Sequence, residues 1–142
     1  MPPSAGMSIT TGLTGMAKLT RILVVDDNDV MRTLLRGILR GETFEVVGEA
    51  RNGHAAVELT ERLKPDIVCM DVMMPEMDGL EALQAIKAGE VDCAVVMITA
   101  SATADTVRLA IESGAAGYIV KPFNSAKVLD TLGRIVAQRS KA

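Results

Sequence analysis

From residue 21 onward, short apolar runs alternate five times with stretches of helical periodicity, and this alternation limits the possible folds more than any other feature of the chain. The runs begin near Ile22, Phe44, Ile67, Ala94 and Gly117. After them, apolar residues recur at three- and four-residue spacing. The sets are Val30, Leu34 and Ile38 (with Met31, Leu35 and Leu39 beside them); Ala56, Leu59 and Leu63; Leu80, Leu83 and Ile86; Ala104, Val107 and Ile111; and Val128, Leu129, Leu132, Ile135 and Val136. Residues at that spacing share one face of a helix, so the pattern predicts five strand-helix units. Gly41, Gly89 and Gly114 stand where helices one, three and four should stop, and Pro65 closes the second helix. Runs such as ILVV, IVCM and AVVMI are apolar at consecutive positions, which suits a parallel sheet covered by helices on both faces. The predicted class is α/β, doubly wound, with an open five-stranded sheet. A closed eightfold barrel needs far more chain, and no internal repeat suggests a solenoid.

The 142 residues suit one domain. Residues 1–19, MPPSAGMSITTGLTGMAKL, lack periodicity and read as a flexible tail ahead of a domain over residues 20–142, with Met7 and Met16 as alternative starts. The TTGLTG in this tail resembles a phosphate-binding glycine loop, but such loops follow a strand and open a helix, and this one precedes the first strand. With 49% hydrophobic and 23% charged residues and no apolar run of bilayer length, membrane insertion is not expected. A net charge of −3 offers no basic field for a phosphate backbone, so no direct nucleic-acid partner is expected. Cys69 and Cys93 match no disulfide framework or zinc spacing, which fits a reducing, cytoplasmic location. Aromatic residues are only 2%, too few to stack bases or sandwich a flavin.

Ligands of open parallel sheets gather at the carboxyl ends of the strands. Here strand one ends in Asp26 and Asp27, strand three in Asp71, strand four in Thr99 and strand five in Lys121. Three neighbouring carboxylates repel unless a cation neutralises them, and an oxygen-only donor set suits Mg²⁺, with Mn²⁺ as the alternative. A metal and Lys121 on opposite sides of Asp71 would hold an anion against that carboxylate. A phosphoryl group fits, since its equatorial oxygens can be held by a metal, an ammonium and a hydroxyl while a carboxylate acts as nucleophile. Asp71 would then become an acyl phosphate.

The segments VVDDN (24–28), MDVMMPEMDG (70–79), MITA (97–100) and YIVKPF (118–123) fall in order, each across a strand end. Through them the chain from about 20 to 140 resembles the receiver domain of two-component response regulators, of the stand-alone chemotaxis type. The resemblance implies a flavodoxin-like sheet of order 2-1-3-4-5 flanked by five helices. It implies Asp71 as phosphoacceptor, Asp27 as a direct metal ligand, Asp26 acting on the metal mainly through water, and the backbone carbonyl of Met73 completing the protein ligands. Thr99 would bond the phosphoryl group and Lys121 pair with it. Thr99 and Tyr118 would form the switch, remodelling the face of helix four, strand five and helix five, roughly residues 103–138. A cis Lys121-Pro122 bond is a further implication.

Simpler readings stand beside these. Asp26 and Asp27 could cap helix one, as could Asn28 and Asp29. Asp78-Gly79 reads as the turn and cap leading into helix three. Tyr118 could be an ordinary buried tyrosine with a bonded hydroxyl. His54, the only histidine, opens helix two and has no expected catalytic part. Met73 and Met74 read first as loop packing and second as an adaptable contact surface.

The expected function is a phosphorylation-controlled binding module. It would receive phosphoryl from a histidine kinase, pass the signal by contact with a downstream protein, and act as a monomer or weak dimer. It would promote only its own phosphorylation and dephosphorylation, so it is not an enzyme in the usual sense. With helix five ending near the carboxyl terminus, no output domain is expected to follow, and the target is a chemotaxis motor or signalling protein. The alternatives are a phosphorelay intermediate that passes phosphoryl to a histidine phosphotransfer protein, and a receiver that docks without phosphorylation. A phosphohydrolase of similar topology usually has a second aspartate two residues after the nucleophile, where this chain has Met73. A flavodoxin-like electron carrier is disfavoured by the missing aromatics and the missing Ser/Thr-rich loop after strand one.

Overall fold

The computed structural model describes residues 18–41 and 43–140, so the expected tail lies outside the described residues up to position 17. Among them, five strands and five helices alternate: β1 (Thr20–Val25), α1 (Asp29–Leu39), β2 (Phe44–Ala50), α2 (Gly53–Leu63), β3 (Ile67–Met70), α3 (Gly79–Ala88), β4 (Ala94–Thr99), α4 (Ala104–Glu112), β5 (Gly117–Val120) and α5 (Ser125–Ser140). The sheet order is β2-β1-β3-β4-β5 and every pairing is parallel, the doubly wound order implied by the resemblance.

The strands with two neighbours are the unbroken apolar runs. β3 and β4 are buried at every position, and β1 from Ile22 onward, whereas the edge strands β2 and β5 are only partly covered. Alternate residues feed two cores. Leu23, Val68, Val95 and Met97 face Ala56 of α2, Leu83 and Ile86 of α3 and Ala110 of α4. Ile22, Cys69, Val96 and Ile119 face Leu35 and Leu39 of α1 and Leu132 of α5. The strand ends named from the sequence therefore emerge along one buried edge.

Helix ends follow the punctuation. Gly89 is the C-terminal cap of α3, Gly114 follows the cap of α4 at φ +104°, where a side chain is disfavoured, and Lys64 before Pro65 ends α2 in a left-handed turn. Two helices differ from the periodic reading. α1 buries Arg32, Leu35 and Leu39 and exposes Val30 and Leu34, because two adjacent stripes share the same spacing and the sheet covers only one. α4 buries Ala110 alone and leaves Leu109 and Ile111 exposed, because it lies over the thin edge of the sheet near β5. No described helix is long and apolar enough to cross a membrane. The Lys121-Pro122 bond is cis.

Candidate functional site

β1 runs between β2 and β3, so the residue that follows its last valine is delivered into the interior. Asp26 is 2% exposed, while Asp27 faces solvent. The Asp26 amide donates to the Ala50 carbonyl at 3.0 Å, and Asp26 Oδ1 accepts the Asn28 amide at 2.9 Å, closing the turn into α1. Asn28 itself caps that helix, accepting from the Met31 amide at 3.1 Å. The acidic pair is therefore not spent on capping.

β3 brings Asp71 to the same edge, with its amide donating to the Val25 carbonyl at 3.1 Å and its Oδ1 accepting the Met73 amide at 3.1 Å. Carboxylate oxygens of Asp26, Asp27 and Asp71 all lie within 4.8 Å of one another. Lys121 arrives from β5, and its Nζ donates to Asp26 Oδ2 at 2.7 Å and to Asp71 Oδ2 at 3.0 Å. Its amide donates to the Thr99 carbonyl at 2.8 Å, which joins the ends of β5 and β4. Thr99 is fully buried, and its Oγ1 accepts the Ser101 amide at 3.3 Å.

The return from β3 to α3 depends on one glycine. The Gly79 amide donates to the Val72 carbonyl at 2.8 Å, and a Cβ on Gly79 would stand 2.1 Å from the Asp71 carbonyl oxygen, far inside contact distance. Asp78 caps α3 in a reciprocal box with Glu81, so Asp78-Gly79 is the turn and cap read from the sequence. Met73 and Met74 divide between the two readings given to them: Met74 is buried in the core and Met73 is exposed. The Tyr118 hydroxyl donates to the Ser101 carbonyl at 2.7 Å. His54 is exposed near the start of α2.

Burial alone would lower the Lys121 pKa. The hydrogen bonds and charges of Asp26 and Asp71 outweigh it and hold the ammonium above its ordinary range. Burial also raises the Tyr118 pKa, opposed by its bond to Ser101 and reinforced by the charge of Asp71. The Cys69 thiol, enclosed by apolar side chains, is pushed up to about 12, which makes it an unreactive core residue. Three carboxylates gather against one ammonium in a partly buried pocket, an excess of acidic oxygens that a divalent, oxygen-preferring cation would balance. The donor set fits Mg²⁺ or Mn²⁺.

One residue that touches the site, Arg32, is invisible to a search for apolar stripes, and Glu49 braces it. Arg32 Nη1 donates to the Asp26 carbonyl at 2.6 Å and its Nε to Glu49 Oε1 at 3.0 Å, while its other arm pairs with Asp29 and Arg36 pairs with Glu49. The available signal was positional, since Arg32, Leu35 and Leu39 share one helix face.

Fold and site together define a doubly wound α/β protein that gathers carboxylates and an ammonium at the carboxyl ends of its strands. The response regulator receiver domain family matches residues 22–133, and the chain belongs to that family. It is 46% identical over 114 residues to the chemotaxis protein CheY of Listeria monocytogenes, covering 80% of this chain and 96% of that protein. It is 41% identical over 121 residues to CheY of Halobacterium salinarum, covering 85% and 98%. Among solved structures, a CheX–CheY–BeF3–Mg²⁺ complex from Borrelia burgdorferi matches with a TM-score of 0.76 at 31% identity, covering 82% of this chain and 88% of that one. These relatives identify the chain as a CheY-like receiver of two-component signalling.

Proposed function

We propose that phosphorylation of Asp71 by a histidine kinase switches this chain between two protein-binding states. The observation that carries this reading is the convergence of Asp26, Asp27 and Asp71 within 4.8 Å, with Lys121 bridging two of them. An Asp71 carboxylate oxygen attacks phosphorus, the P–O bond forms as the P–N bond to the donor imidazole breaks, and the electron pair leaves with the imidazole. The Lys121 ammonium, already 3.0 Å from Asp71 Oδ2, transfers its contact to a phosphoryl oxygen, and the Thr99 hydroxyl donates to another. Asp26, Asp27, Asp71 and the carbonyl of Met73 would hold Mg²⁺, or Mn²⁺, which supplies positive charge to the phosphoryl oxygens. Hydrolysis of the acyl phosphate resets the chain, so its catalysis is directed at itself.

Signal passage follows from Ser101, whose amide donates to Thr99 Oγ1 and whose carbonyl accepts from Tyr118. When Thr99 turns to the phosphoryl group, its Oγ1 leaves the Ser101 amide, the loop shifts beneath the Tyr118 hydroxyl, and the face of α4, β5 and α5 rearranges for a downstream protein. This reading places the chain in the cytoplasm between a kinase and a protein target.

Intact mass after incubation with Mg²⁺ and acetyl phosphate tests it. The expected result is one labile phosphoryl gain, absent in Asp71→Asn and absent with a chelator. A wild type that binds Mg²⁺ and gains no mass would overturn the phosphoacceptor reading.

A further inference from the structure

Arg32 is the one charged residue of α1 that the fold buries, at 9% exposure. A buried guanidinium is retained only where its donors are matched, and here three arms reach three acceptors on different segments. These are the Asp26 carbonyl at 2.6 Å, Glu49 Oε1 at the end of β2 at 3.0 Å, and the Asp29 carboxylate in the first turn of α1. The planar fork serves several acceptors at fixed angles, which a lysine ammonium does not reproduce. The first contact is the telling one. The peptide group joining Asp26 to Asp27 is planar, so pinning the Asp26 carbonyl oxygen also sets the backbone direction of Asp27. Without that restraint, repulsion among the three carboxylates would favour a turn that swings the aspartate pair away from Asp71.

We propose that Arg32 is a positioning residue for the divalent-cation site: braced on Glu49, it clamps the Asp26 carbonyl and holds the Asp26 and Asp27 carboxylates in register with Asp71. The inference rests on the reading that this site takes Mg²⁺. Two simpler roles predict different outcomes. A residue that merely ties α1 to β2 changes stability and leaves cation affinity alone. A residue acting through its charge repels a dication, so its removal strengthens binding.

The test is Mg²⁺ titration by calorimetry of wild type, Arg32→Ala, Arg32→Lys and Glu49→Gln, well below the lowest unfolding midpoint, with each midpoint measured on the same samples. Weakening of about 10- to 100-fold is expected for Arg32→Ala, in the range typical when groups that orient metal ligands are removed. Arg32→Lys should weaken binding comparably, since it keeps the charge and loses the fork. Glu49→Gln should weaken it less and in the same direction, and it carries the test if Arg32→Ala does not fold. Lower midpoints with an unchanged dissociation constant would overturn the proposal. So would tighter binding in Arg32→Ala with no change in Arg32→Lys. A wild type without Mg²⁺ affinity would remove the cation reading and this inference together, whereas a binding wild type with unaffected variants removes the inference alone.

Discussion

The two sides of the site are built differently. Toward α1 and β2, Asp26 and Arg32 are buried and joined into one polar network, half-buried Glu49 takes two arginines, and Leu35 and Leu39 seat the helix on the sheet. Toward α4 and β5, Ala110 is the only buried residue of its helix, Leu109, Ile111 and Val120 are exposed, and the loop from β4 depends on the bonds that meet at Ser101. Contact density governs how easily a segment moves. The first side holds charge in place before a ligand arrives, and the second can be displaced by a small change in free energy. In the proposed function a phosphoryl group at Asp71 would touch both, held by the carboxylates of the stiff side and by Thr99 and Lys121 from β4 and β5, and the message would leave by the soft side.

The largest expected effect sharpens this contrast in its simplest form. Leu35→Ala, at a position 2% exposed, should lower unfolding stability by about 2–5 kcal/mol in a denaturant titration. A loss no greater than that of an α4 surface truncation would mean that α1 is as loosely held as α4.

Acid titration separates the two sides through their ion pairs. Burial works to raise the Glu49 pKa, and the bonds and charges of Arg36 and Arg32 outweigh it, leaving the carboxylate below its ordinary value of 4.5. The folded state then holds this proton less tightly than the unfolded one. The stability it contributes is complete above pH 4.5 and is lost as the pH falls through the lowered folded value. Wild type should therefore lose stability more steeply below that pH than Glu49→Gln, and the two curves should converge in acid. On the other side, Asp105 and Arg108 pair at 2.8 Å in full view of solvent, where such pairs contribute little. Asp105→Asn should change unfolding stability by no more than about 1 kcal/mol at neutral pH. Parallel curves for Glu49→Gln and wild type would show that the network around Arg32 is as well screened as the surface pair.

The same contrast explains what was legible in the sequence. Strand starts at Phe44, Ile67, Ala94 and Gly117 coincide with the observed ones; for β3 and β4 the reason is that a strand buried on both faces must be apolar at consecutive positions, and few other elements are. β1 begins at Thr20, ahead of its apolar run, since Thr20 and Arg21 pair with β2 at the sheet's end without being buried in the core. The juxtaposition of Asp26, Asp27, Asp71 and Lys121 followed from the rule that parallel strands deliver their carboxyl ends to one edge. Helix orientation was less legible. Val30 and Leu34 repeat at the same interval as Leu35 and Leu39, and periodicity has no means of choosing between them. Arg32 escaped for the complementary reason: beyond its i,i+3 pair with Asp29, its acceptors are the Asp26 carbonyl and Glu49, contributed by other segments that no local pattern joins to it.

A smaller effect belongs to the joint between the two sides. Tyr118→Phe removes the hydroxyl that donates to the Ser101 carbonyl at 2.7 Å in a partly buried setting. The expected loss is about 0.5–1.5 kcal/mol, with amide exchange accelerating at residues 100–104 and not in α1. Equal acceleration in α1 would mean that the loop and the acidic pocket move as one body, and the division drawn between them would fail.

The smallest effect on stability is the most telling about signalling. Leu109→Ala removes an exposed side chain from α4, and surface truncations of this kind fall within about 0.5 kcal/mol. Such a residue contributes little to the fold, yet it lies with Ile111 and Val120 on the side where apolar atoms remain in water. Phosphoryl uptake at Asp71 should therefore be unchanged in Leu109→Ala, with the same mass gain and the same lifetime as wild type, while capture of the downstream protein by the phosphorylated form weakens. An altered lifetime with unaltered capture would reverse the assignment, placing α4 in the chemistry and leaving the exposed face of α1, with Val30 and Leu34, as the surface that carries the message.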